Sequence, residues 1–168
     1  PIPTSISNDV HDSNNMFTIG LVSRFTERKR IDRLINGFDV FLKNGGKGRL
    51  VLVGDGAAIG DVTSQIAMLS LSDHIELVGY TDKVSEYYKQ LDICVHPSDN
   101  EGFGLVAVEA YLHGLPVIAF NDSGGLVEVV LPLEPENIIE NETQLTERLS
   151  FYFKNKQDIS KKANQRII

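Results

Sequence analysis

A single cysteine stands among the 168 residues, so no internal disulfide can form. That residue, Cys94, lies in the apolar run Leu91-Asp92-Ile93-Cys94-Val95, where a buried structural thiol is expected rather than a nucleophile. The few Cys and His residues show no clustering at metal-ligand spacing. Positive charge is scarce as well: 16 Lys and Arg against 23 Asp and Glu leave a formal charge of −7. Such a balance argues against non-specific nucleic-acid binding, which needs a basic surface, yet it permits a local cationic pocket. No apolar run approaches the length of a bilayer span, and no secretory leader is expected at the start, so a cytoplasmic location is expected.

The remainder is the composition of one soluble globular domain, with 42% apolar and 23% charged residues arguing against general disorder. Residues 1–15 are polar and turn-rich and read as a lead-in, with the domain over 16–168. Strand-like segments then alternate with helix-like ones. Phe17–Val22 is a first strand, and Ile31, Leu34, Ile35, Phe38, Phe41 and Leu42 follow at helical spacing until Asn44-Gly45-Gly46. Leu50–Val53, Ile75–Val78, Asp92–Val95 and Leu115–Ala119 are further strands, with helices predicted near 58–70, 82–90 and 104–113. Short apolar strands separated by helices predict an α/β fold, a Rossmann-like doubly wound parallel sheet with helices on both faces. In such sheets ligands bind beyond the carboxyl ends of the strands. Every candidate motif falls on that edge: Arg24 to Lys29, Gly54 to Gly56, Gly79-Tyr80, Pro97 to Gly104 and Asp122 to Gly125.

The stretch Glu101-Gly102-Phe103-Gly104-Leu105-Val106-Ala107-Val108-Glu109 carries the most chemistry. Glycines before a helix let backbone approach a ligand, and the free N–H groups of its first turn favour an anion such as phosphate. A carboxylate two turns on can accept from sugar hydroxyls. By spacing alone, an ordinary loop and an amphipathic helix with solvated carboxylates account for the stretch equally well.

Taken in order, Ser23-Arg24-Phe25 with Lys29, Val53-Gly54-Asp55-Gly56, Val78-Gly79-Tyr80, Val95-His96-Pro97-Ser98, Glu101 to Glu109, Gly114-Leu115-Pro116-Val117 and Gly124-Gly125-Leu126-Val127-Glu128 resemble a known family. The resemblance is to the donor-binding, C-terminal domain of the group 1 retaining glycosyltransferases of GT-B fold. It spans about residues 17–130. It implies that Arg24 and Lys29 meet the diphosphate of a nucleotide-sugar and stabilise the leaving nucleotide. It implies that the loop of Gly102, Phe103, Gly104 and Leu105 binds phosphate or sugar hydroxyls, that Glu109 accepts from the ribose, and that Tyr80 lies by the base. Glu101 would lie beside the donor sugar; both carboxylates belong to one loop–helix unit, unlike the flanking pair of a glycoside hydrolase. The family's front-face mechanism implies no cofactor and no metal, the basic pair supplying the neutralising charge.

The family's two-domain plan further implies that the acceptor, a glycan or lipid, is held by an N-terminal domain absent from this chain. Peripheral association with the inner face of a membrane belongs to the same expectation. Three features depart from the pattern. The family has Lys-Gly where this chain has Lys29-Arg30. The segment Val129 to Glu136 looks shortened, so a rebuilt sheet edge is expected there. The last segment, with Leu145, Leu149, Phe151 and Phe153 and then the basic stretch Lys154 to Arg166, reads as a terminal helix or pair of helices whose basic end is a solvated face, or a surface for a partner or membrane. Two rival classes stay open, a non-catalytic nucleotide-sugar-binding scaffold and a sugar-nucleotide epimerase. An NAD enzyme is disfavoured, because no Gly-x-Gly-x-x-Gly follows the first strand. His96 is read as a hydrogen-bonded structural histidine at a strand end.

Overall fold

The computed structural model of the chain describes residues 16–156. The lead-in expected over 1–15 and most of the basic stretch after Lys154 lie outside the described residues.

Six strands form one parallel sheet: β1 Thr18–Val22, β2 Arg49–Val53, β3 Ile75–Gly79, β4 Ile93–His96, β5 Val117–Phe120 and β6 Ile138–Ile139. Their order across the sheet is β3-β2-β1-β4-β5-β6. The helices are α1 Ile31–Lys43, α2 Ile59–Met68, α3 Val84–Tyr88, α4 Leu105–Leu112, α5 Gly125–Val130 and α6 Glu142–Lys154, with 3₁₀ turns at Glu27–Lys29 and Pro135–Asn137. This is the predicted doubly wound Rossmann-like fold.

The strands' near-continuous apolar runs are explained by burial on both faces. Alternate residues of one strand serve opposite cores: Leu50 and Leu52 point to one, Val51 and Val53 to the other. On the first face lie α1, α2 and α6, where Phe17, Phe38 and Phe41 pack with Leu145 and Leu149. On the second lie α3, α4 and α5, with Tyr88, Cys94, Ala107, Ala110, Leu126 and Val130. Cys94 is fully buried, as expected of a structural thiol. Each large side chain removed from water here contributes about 1.5–3 kcal/mol before the entropy cost of ordering it.

At the sheet edge, the segment that looked shortened folds as α5, a 3₁₀ turn and then a two-residue β6. The edge strand is therefore present, and minimal. Glu134 anchors this return from inside, accepting from Val117 N at 3.0 Å.

Candidate functional site

Strand order reverses between β1 and β4, which lie side by side although the chain leaves β1 in one direction and β4 in the other. At such a switch point the loops leaving the two strands diverge and open a crevice. Here those loops are Ser23–Arg30 and Pro97–Gly104, the two segments carrying Arg24, Lys29 and Glu101.

The first loop is stapled on its outer side to the loop after β2. Phe25 N donates to Asp55 O at 2.9 Å, and Ala58 N to Phe25 O at 2.8 Å. Gly54 makes the staple possible: its φ is 136°, and a Cβ there would fall 1.7 Å from Ser23 O. Gly54-Asp55-Gly56 thus works as a close-approach loop fixing the Arg24 segment. Lys29 follows in its 3₁₀ turn, and Arg30 adopts a left-handed conformation, φ 49° and ψ 43°. That explains the departure seen in the sequence. The backbone needs positive φ at the position where the family carries glycine, and Arg30 meets it at a cost of about 1 kcal/mol while Lys29 keeps its place.

The second loop is held from below by a residue that the sequence reading passed over. Arg33 of α1 is buried and donates through Nε to Pro97 O at 2.6 Å and through a terminal nitrogen to Ser98 O at 3.3 Å. It also pairs with Asp122 at 2.8 and 3.2 Å and lies 3.6 Å over the Phe120 ring. The guanidinium's hydrogen bond and charge hold the Asp122 carboxyl below its ordinary range. The loop's far side rests on the start of α5: Glu101 N donates to Ser123 O at 2.9 Å, and Gly125 N to Glu101 O at 2.8 Å. Gly124 (φ 64°) and Gly125 leave room for this, since Cβ atoms there would lie 2.8 Å from Glu101 O and 2.5 Å from Gly102 O. The sequence carried a visible signal for the Gly124-Gly125 pair. For Arg33 the signal was a lone base beside the apolar run Leu34-Ile35.

With both loops fixed, the expected site residues fall into two adjoining groups. Arg24, Tyr80 and Glu109 line an open cavity of about 670 Å³ with Gly54, Asp55, Gly56 and Thr81. Glu109, in the second turn of α4, accepts a long hydrogen bond from the Tyr88 hydroxyl at 3.4 Å. Lys29 and Glu101 form a direct ion pair over a cavity of about 10 Å³, whose wall shares Ser23 and Val106 with the larger one. Gly104 is the N-cap of α4 and provides no side-chain cap, so the helix's first N–H groups have no intrahelical acceptor. Phe103 and Leu105 are exposed and open space surrounds Gly102, and none of Gly102, Phe103, Gly104 and Leu105 lines either cavity.

His96 differs from the expectation of a hydrogen-bonded structural residue. Its ring is buried, but Nε2 has no hydrogen-bond partner among the described residues, and the same holds for Ser98 Oγ. Burial lowers the imidazole pKa to about 4, so the ring is neutral near pH 7. His113, by contrast, stacks on Tyr88 and contacts Ser85 Oγ at 3.0 Å. Among the described residues no His, Cys, Asp and Glu side chains converge as a metal-ligand set, and no helix is long and apolar enough to cross a membrane.

Fold and crevice together define an α/β domain of the kind that forms half of a GT-B glycosyltransferase. The family described as glycosyl transferases group 1 matches residues 6–167, and the chain belongs to it. It is 33% identical over 109 residues to the amylovoran biosynthesis glycosyltransferase AmsD of Erwinia amylovora, covering 65% of this chain and 30% of that protein. It is also 33% identical over 114 residues to a GDP-mannose-dependent alpha-mannosyltransferase of Mycobacterium tuberculosis, covering 68% of this chain and 28% of the relative. The fold matches Staphylococcus aureus TarM, solved with UDP, at a TM-score of 0.82 and 23% identity, over 90% of this chain and 31% of that one. The chain thus spans about a third of the length of these curated relatives.

Proposed function

We propose that this chain is the donor-binding half of a retaining glycosyltransferase, taking a nucleoside-diphosphate sugar whose hexosyl group passes to a glycan, lipid or other acceptor. The observation that carries the reading is the convergence, on the switch-point crevice, of two cations and two carboxylates from separate elements. Arg24 and Lys29 come from the loop after β1, Glu101 from the loop after β4 and Glu109 from α4. Family membership supports it, as do a GDP-mannose-dependent relative and a fold neighbour solved with UDP.

In this reading Arg24 and Lys29 hold the diphosphate, with the uncapped N-terminus of α4 beside them. Glu109 takes the ribose hydroxyls, and Tyr80 closes the cavity on the base. Glu101 orients the sugar and stabilises positive charge developing at its anomeric carbon. The bond from that carbon to the phosphate oxygen breaks with its electron pair going to phosphate, where the two cations offset the charge. The acceptor oxygen bonds to the same face of the carbon and gives its proton to the departing phosphate. With the basic pair neutralising charge, we propose that the donor binds without a metal ion and the reaction needs no cofactor. The acceptor would be held by a further domain outside this chain, so the chain alone binds donor but transfers little.

Calorimetry with UDP-, GDP- and ADP-sugars tests this. One base series should bind, and Arg24→Ala and Lys29→Ala should each weaken it at least about ten-fold, the scale of one charge-assisted hydrogen bond. Equal non-binding across the panel would overturn the reading and leave a scaffold.

A further inference from the structure

The Lys29–Glu101 pair covers something. Its side chains are 24% and 17% exposed, whereas His96 and Ser98 below it, lining the same cavity, are 2% and 3% exposed. Both buried groups carry an unpartnered polar atom, His96 Nε2 and Ser98 Oγ. Folded proteins leave few such atoms, because each costs about 1–3 kcal/mol in lost hydration. Two lining one cavity beside the switch-point ion pair suggest a pair reserved for a ligand oxygen. The cavity holds about 10 Å³, close to the roughly 10–15 Å³ that a single water-sized oxygen requires.

We propose that His96 and Ser98 form a sugar-hydroxyl subsite: a diphosphate draws Lys29 away from Glu101, and one hydroxyl of the donor sugar then enters the opened cavity to hydrogen-bond with His96 Nε2 and Ser98 Oγ. The inference rests on the donor-binding reading above and adds to it the residues that read the sugar. The chemistry selects a hydroxyl over a phosphate oxygen. A neutral imidazole and a serine hydroxyl each match a group that both donates and accepts. The Glu101 carboxylate at the rim disfavours a second anion and welcomes a hydroxyl donor. Lys29 thereby couples the two halves of the ligand, since the subsite is uncovered only when phosphate occupies the cation.

The test compares a nucleoside diphosphate with its own sugar conjugate, UDP against UDP-glucose and GDP against GDP-mannose, titrated calorimetrically into the full chain and its variants. His96→Phe keeps a planar ring but cannot hydrogen-bond. It should leave the Kd of the diphosphate within about two-fold and weaken the sugar conjugate about ten-fold, the scale of one lost hydrogen bond. Ser98→Ala should do the same to a smaller extent. Equal weakening of both ligands, or of neither, overturns the subsite while leaving donor binding intact. If the wild-type chain binds no member of either pair and no ADP-sugar, the donor reading fails and takes the subsite with it. Should His96→Phe fail to fold, as judged by its thermal transition, Ser98→Ala and His96→Gln carry the comparison.

Discussion

Replacing Arg33 with alanine should unfasten the loop that carries Glu101, and the cost can be worked from its contacts. Two carbonyls, Pro97 O and Ser98 O, lose their guanidinium donors at 2.6 and 3.3 Å. A buried acceptor left unpaired costs about 1–3 kcal/mol, and water entering the space vacated by Arg33 reduces that toward the lower figure. The pair with Asp122 counts for little, because the carboxylate side chain is 50% exposed and screened by solvent. Stacking over Phe120 adds about 0.5–1 kcal/mol. The sum is about 3 kcal/mol, equivalent to a fall in Tm of roughly 6–12 °C for a domain of this size. Urea denaturation followed by circular dichroism measures it directly. Asp122→Asn is the control, since it removes only the screened pair and should cost about 0.5 kcal/mol. An Arg33→Ala penalty below about 1 kcal/mol, or one matched by Asp122→Asn, would refute the assignment of Arg33 as the clamp on the two carbonyls.

Three further outcomes are expected. His96 has a pKa depressed to about 4 in the folded protein against about 6.5 unfolded, so between those values the unfolded chain binds more protons. Its contribution to stability is therefore whole above pH 6.5 and lost as pH falls toward 4, by up to about 3 kcal/mol; urea titrations at both ends should show this acid limb flattened in His96→Phe. Gly54→Ala drives a methyl group into Ser23 O at positive φ, and should cost at least about 2 kcal/mol by the same assay while weakening donor binding through the displaced Arg24 loop. Donor affinity measured calorimetrically with and without EDTA should be unchanged, and a large loss on chelation would contradict the role given to Arg24 and Lys29.

The sheet was legible because its signals are local. Runs such as Leu50-Val51-Leu52-Val53 are apolar without alternation, which only a strand buried on both faces can use, and the intervening helices dictate parallel pairing. Element edges were less legible. The five-residue α3 and two-residue β6 are too short to set a period, and tertiary contacts decide where they stop. In the site, Lys29, Glu101 and Glu109 could be placed from their order relative to strand ends. Their grouping could not: that Lys29 pairs with Glu101 while Arg24 and Glu109 line a separate open cavity depends on how two loops cross in space. Arg33 stayed hidden because a base next to an apolar run usually lies on a wet helix face. Only the direction of the side chain, toward carbonyls 64 and 65 residues away, shows otherwise.

Arg30 links the two loops of the site. The left-handed turn at residue 30 brings the chain round between the Lys29 turn and α1, whose first helical turns supply Arg33. One backbone conformation therefore orients both the cation that pairs with Glu101 and the clamp that fixes the Glu101 loop. Glycine would adopt φ 49° without strain, but it would free the unfolded chain and give up the ion pairs of Arg30 with Asp32 and Asp99. Those pairs are half-exposed and worth about 1 kcal/mol or less together, similar to the left-handed strain that they offset. A stability change near zero for Arg30→Gly would thus accord with a turn that the fold tolerates with either residue. The constraint lies in the turn's geometry, through which Lys29 and Arg33 act on the same loop.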